Sequence, residues 1–205
     1  MAATEQRTPT RERILYASAE LFRRQGYSGT GLKQVLAQAQ APLGSLYHFF
    51  PGGKEELADE VLRTGGRFFL ALYRSIAAAA PDLQSAVRDF FDGAGETLRV
   101  TDYADACPIA TVAGEVASTH PVLREATADV FESWLEAIAQ DAEQAGVEPG
   151  RARALALSIL ALLEGAFLLS RAQRQTEPMD AAGAAALALL RAALPHDGNT
   201  KRRTS

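Results

Sequence analysis

Little in this chain of 205 residues could support a covalent or metal-built framework. It has one cysteine, Cys107, so no internal disulfide can form, and that usage fits a reducing compartment. It has only three histidines, and none is spaced on a helix as half of a ligand pair. No metal site and no cofactor are therefore expected. No segment alternates apolar and polar residues with period two, which argues against a strand-built fold. The opening MAATEQRTPTRER is polar and lacks the apolar core of a secretory signal. The most apolar run, residues 155–170, carries Glu164 in its middle and falls short of the roughly 20 apolar residues a membrane span needs. These absences leave an all-α protein of the cytoplasm, off the membrane.

Net charge is −4, which by itself argues against a nucleic-acid partner. The distribution reverses that. Residues 1–54 hold seven basic side chains (Arg7, Arg11, Arg13, Arg23, Arg24, Lys33, Lys54) against three acidic ones, a balance of +4. The remainder holds 14 basic and 22 acidic, a balance of −8. A basic head on an acidic body is expected where one part alone meets phosphate.

Apolar periodicity and punctuation predict helices throughout. The first covers residues 10–25, with Thr10 as its cap, Gly26 as its stop, and Ile14, Ala17, Leu21 and Phe22 on one face. Thr30 caps a second, and a third starts at Pro42 and ends before Pro51-Gly52-Gly53. That step divides a head, 1–53, from a body, 54–195. A basic tail, 196–205, with Lys201, Arg202 and Arg203, reads as a disordered end. In the body, helices are expected from residues 54, 83, 108, 121, 149 and 180.

The segment 155–169 is apolar nearly all round, so it must be covered on every side. One face suits its own core, and the other calls for a second copy of the chain across a two-fold axis. Leu160, Leu163, Glu164, Phe167 and Leu189 are the expected interface residues, with Gly165 and Ala166 small enough for close backbone approach.

The most telling stretch is TGLKQVLAQAQAPLGSLYHFFPGGKEEL, residues 30–57. It reads as a short helix, a tight turn and a second short helix, the layout of a helix-turn-helix whose second helix enters the DNA major groove. Lys33 would neutralise a phosphate, and Thr30 would donate to one. Gly44, which costs a helix interior about 1 kcal/mol relative to Ala, suits close approach to the groove floor. Ser45 can bond base edges, and Leu43 can touch a thymine methyl.

Together with TRERILYASAELFRRQGYSGT, LGSLYHFF and KEEL, this segment resembles the DNA-binding head of the TetR family of transcriptional regulators. The PGGKEEL variant and the later CPIATVAGE run resemble its LmrA/YxaF-like branch. The resemblance implies that Tyr47 and His48 contact phosphate and that Lys54 does so at the start of the long helix. Gln40 and Pro42 stand where the family commonly has Gly and Ser, and the joint is one residue longer than the common form. The resemblance further implies a helical body that binds a small-molecule effector and dimerises. Aromatic and polar side chains of the body helices are candidate pocket walls: Phe68, Tyr73, Tyr103, Glu115, Phe131, Trp134 and Phe167. The expected partners are double-stranded DNA, an effector and a second copy of the chain.

Three other readings compete. An enzyme using Cys107 as nucleophile and His120 as base lacks an orienting carboxylate pattern. Cys107 as an oxidant sensor at a helix N-terminus has no resolving partner in the chain. A constitutive DNA binder without an effector is the third reading, and the large aromatic-bearing body argues against it.

Overall fold

A computed structural model describes residues 8–195; Arg7 and the basic segment 196–205 lie outside the described residues. Within them the chain forms nine α-helices and no strand. These are α1 (Thr10–Gln25), α2 (Leu32–Gln38), α3 (Leu43–Phe49), α4 (Gly53–Ala79), α5 (Leu83–Val100), α6 (Pro108–Val116), α7 (Pro121–Gln144), α8 (Pro149–Gln173) and α9 (Glu177–Ala193).

Most helix ends follow from local chemistry. Gly26 closes α1 at φ +75, its N–H donating to the Phe22 carbonyl. Asp82 caps α5 by accepting from the Ser85 N–H at 2.7 Å. Pro108 and Pro149 occupy first helical turns, where their missing N–H is not needed. Five starts differ from the sequence expectation, among them α4 at Gly53 rather than 54 and α9 at Glu177 rather than 180. Thr10 is the first helical residue rather than the cap, Gly31 rather than Thr30 precedes α2, and Pro42 precedes α3 in extended backbone.

The chain divides into two compact units. The first holds the residues through Phe69 together with Asp105–Phe131, so it is larger than a head ending at residue 53. Its fully buried side chains include Ile14, Phe22, Leu46, Phe50 and Leu57. Phe50, not the half-buried Phe49, is the aromatic taken into the core. Where α4 meets α7 in this unit, a Cβ on Gly66 would lie 2.5 Å from Val130, so glycine permits the crossing. Arg63 pins it by donating to Asp59 (3.0 Å) and Asp129 (2.9 Å).

The second unit holds Leu70–Ala104 and the residues from Glu132 onward. Its core joins Val87, Phe91 and Leu98 of α5, Leu155, Ile159 and Leu163 of α8, and Met179, Ala186 and Leu190 of α9. Gly183 lets α9 close on Phe91, whose Cβ would be 3.1 Å from an added methyl. Burying each Leu, Ile or Phe of this kind contributes about 1.5–3 kcal/mol.

The register of α8 corrects part of the expected interface. Leu155, Ile159, Leu163 and Ala166 face the unit's own core, and Leu160 is 9 % exposed. Leu160, Leu163 and Ala166 are therefore core residues, not a free face; Glu164 and Phe167 are half-buried. The uncovered stripe is Leu157, Ala161, Gly165 and Leu168, displaced by about two residues, and on α9 Ala184, Ala188 and Leu189. By length and composition α8 could cross a membrane, with 33 % of its apolar window buried; the core helix of a soluble protein meets the same two criteria.

Candidate nucleic-acid interface

Three short helices of the first unit build the site. Leu46 is the inward anchor of α3 and is fully buried. Seven residues make barely two turns, so one buried leucine fixes which face turns outward. That face carries Leu43 (65 % exposed), Gly44, Tyr47 (59 % exposed) and His48. Ser45 is half-buried. A Cβ on Gly44 would meet nothing within 4 Å, so internal packing does not require glycine there. His48 packs its ring edge-on to Phe49, centroids 4.8 Å apart.

The α2–α3 turn holds this helix at its angle. Gln40 adopts φ +49, the left-handed region that glycine enters freely and other residues enter at about 1–2 kcal/mol. Arg13 compensates from α1. Its guanidinium donates to the carbonyls of Ala39 (2.9 Å), Gln40 (3.3 Å) and Thr8 (2.7 Å). A side chain that in sequence counts only toward the basic head thus caps the C-terminal end of α2.

The α1–α2 turn is braced differently. Gln25 donates to the Gly29 carbonyl (3.1 Å), the Thr30 hydroxyl (3.3 Å) and Gln34 (2.7 Å). Thr30 is buried; its hydroxyl donates to the Gly26 carbonyl at 2.7 Å and its N–H to the Tyr27 carbonyl at 3.1 Å. Both donors are used internally, so Thr30 shapes the turn rather than meeting phosphate. Gly31, exposed at the start of α2, takes the outward place beside Lys33, which is also exposed.

Lys54 is half-buried at the start of α4, its Nζ 4.2 Å from the centre of the Tyr27 ring. Burial lowers its pKa from the ordinary lysine value, and the charge of Glu115 opposes that shift. Glu115 is not a pocket wall. Its carboxylate accepts from the backbone N–H groups of Tyr27 (3.1 Å) and Ser28 (2.8 Å). Its lone acidic place in an apolar helix hinted at a role; its partners, nearly 90 positions away, left no trace in sequence spacing.

The other expected pocket residues are scattered. In the first unit Phe68 is 65 % exposed, its ring edge-on to Phe69, and Phe131 is half-buried. In the second, Tyr73 is buried, stacks edge-on with Phe90 at 5.8 Å and donates its hydroxyl to Asp141 at 2.7 Å. Burial and then Asp141 push its pKa well above the usual tyrosine value. Tyr103 and Phe167 pack against the same apolar core, and Trp134 is half-buried on α7. Cys107 is buried before α6, its Sγ accepting from the Ala110 N–H at 3.5 Å, the place of a structural thiol. Among the described residues no three of His, Cys, Asp and Glu gather as a metal set.

Residues 14–61 match the bacterial regulatory proteins of the tetR family, and residues 84–185 match the C-terminal domain of LmrA/YxaF-like transcriptional regulators. The HTH-type transcriptional regulator LmrA of Bacillus subtilis (strain 168) is 31 % identical over 170 residues, 83 % of this chain and 90 % of that protein. This chain is a TetR-family transcriptional regulator with an LmrA/YxaF-like C-terminal domain. The TetR-family chain is also similar to the HTH-type transcriptional repressor DhaR of Mycobacterium sp. (strain GP1), 29 % identical over 184 residues, 85 % of this chain and 88 % of that one. Its fold matches the crystal structure of a TetR transcriptional regulator from Legionella pneumophila, with a TM-score of 0.79 at 21 % identity over 88 % of this chain and 97 % of that one. Its relatives regulate transcription and are not enzymes, which removes the reading of Cys107 and His120 as a catalytic pair.

Proposed function

We propose that this regulator is a cytoplasmic repressor that binds a two-fold symmetric operator as a homodimer and leaves it when a small apolar or amphipathic effector binds the body. One observation carries the DNA reading. The same face of α3 exposes Leu43 at 65 % and Tyr47 at 59 %, on either side of a glycine with open space above it. Large apolar side chains left in water over a barely two-turn helix await a surface, and the major groove admits such a helix. In this reading residues 1–53 read DNA and 54–195 sense and dimerise. Leu43 and Ser45 contact bases, Tyr47, His48 and Lys33 contact phosphates, and Lys54 supports the turn behind them.

The sign of regulation follows the name of the relative DhaR, a repressor. The bare stripe of α8 and α9, where Gly165 has no neighbour within 4 Å of an added Cβ, supports the dimer. Two copies would set their recognition helices one groove repeat apart, roughly 34–36 Å, and a change in that spacing loses the operator. The effector must favour the state that fits DNA badly. Tyr73, Tyr103, Trp134 and Phe167 supply aromatic surface for it, with buried Tyr73 and half-buried Asp141 as a polar pair it could enter.

Selection of duplexes from a random pool, followed by challenge of the complex with small molecules, tests this reading. Tyr47→Ala is expected to weaken binding to every duplex, and Ser45→Ala to relax preference at one base position. Equal effects of both on all sequences contradict the assigned roles.

A further inference from the structure

Two carboxylates of the segment leading into and along α6 grip the C-terminal end of α1. Asp105, 7 % exposed, forms an ion pair with Arg23 at 3.1 Å just before α6 begins. Glu115, near the other end of α6, spans the Tyr27 and Ser28 N–H groups with its two oxygens. Gly26 makes room for the second grip. An added Cβ there would fall 1.7 Å from the Glu115 Oε1 and push that carboxylate off the turn, and φ of +75 favours glycine. The Tyr27 ring beside the grip is enclosed by Lys54 on one side and by the edge of His120, 5.0 Å away, on another.

We propose that Glu115 is a positioning residue for DNA recognition, its carboxylate fixing the α1–α2 turn and thereby the angle at which α2 and α3 are presented. A carboxylate on two backbone N–H groups is a charge-assisted pair, stronger than neutral bonds. Pulling it away leaves two donors of a tight turn without that acceptor. The turn therefore follows α6 when α6 moves, and the link runs directly from α6 into the DNA-reading helices without passing along α4. The proposal rests on the DNA reading given above, and it adds that α6 is mechanically part of the recognition unit.

The test uses the full-length protein, an operator duplex selected from a random pool, and an unrelated duplex of equal length. In the wild type the amide hydrogens of Tyr27 and Ser28 exchange slowly. In Glu115→Gln, which keeps the size but offers one acceptor and turns an amide N–H₂ toward a donor, both exchange fast while amides within α1 stay protected. Operator affinity falls about tenfold or more, affinity for the unrelated duplex holds within about twofold, and the melting temperature moves by only a few degrees. Fast exchange of the two amides in the wild type overturns the proposal. So does a variant that binds the operator as well as or better than the wild type, or that loses both duplexes equally. A wild type that prefers no duplex defeats instead the DNA reading on which the proposal stands.

Discussion

Each of the two units owes its internal cohesion to different physics. The first fastens its turns with polar groups: Arg13 on the carbonyls of Ala39 and Gln40, Gln25 on the 29–34 segment, Glu115 on the N–H groups of Tyr27 and Ser28. The second relies on an apolar core shared by α5, α8 and α9, and it leaves more apolar surface than it can cover: Leu157 (48 %), Leu168 (70 %), Leu169 (50 %) and Leu189 (44 %). Hydrogen bonds are directional and fix angles, which a helix aimed at base edges needs. Burial is non-directional and roughly proportional to area, which suits a scaffold and a self-association face. The contrast assigns precision to one unit and adhesion to the other.

The hardest test of the contrast is the uncovered stripe. Leu168→Glu places a charge at the most exposed leucine of α8. In an isolated chain this substitution touches little, and the fold should persist. Across a dimer face it buries an unpaired charge, which is strongly destabilising. Sedimentation velocity should show a dimer become a monomer, and operator affinity should fall about a hundredfold or more because one recognition helix no longer brings the second. A variant that stays dimeric would place the interface elsewhere.

The core itself is tested by stability rather than by binding. Phe91 is 3 % exposed and packs against Gly183. Phe91→Ala should cost about 3–5 kcal/mol of unfolding free energy, read from urea denaturation. A loss below about 1 kcal/mol would show that the second unit does not rest on this core.

Most of the fold could be read from the chain before the structure. Gly26, the Pro51-Gly52-Gly53 step and the prolines at 108, 121 and 149 mark helix ends, and the α3 run matches a known head. The gaps have a common cause. Thr30 looks like a cap because threonine before a helix usually is one; here Gly31 takes that place and the hydroxyl turns back to Gly26. Leu163 and Leu168 look alike in an all-apolar helix, and only the packing of α8 on α5 and α9 separates them. Glu115 sits 88 residues from Tyr27, a pairing that no periodicity encodes. Local chemistry is legible in sequence; choices between equivalent faces and long-range polar partners belong to tertiary structure.

The smallest expected effect concerns the strained turn. Gln40 holds φ +49 with an exposed side chain, so little packing is lost on its removal. Gln40→Gly relieves about 1–2 kcal/mol of left-handed strain. It also returns about 0.4–1 kcal/mol of backbone freedom to the unfolded chain, which opposes the gain. The net is a stabilisation of up to about 1.6 kcal/mol, measurable as a rise in the urea midpoint at unchanged slope. The carbonyls of residues 39 and 40 are backbone groups, so Arg13 keeps its bonds and operator preference should not change. A destabilised Gln40→Gly protein would mean that the glutamine side chain itself holds the turn. The α2–α3 turn would then be fastened by the side chain of residue 40 rather than by Arg13 on its backbone carbonyls.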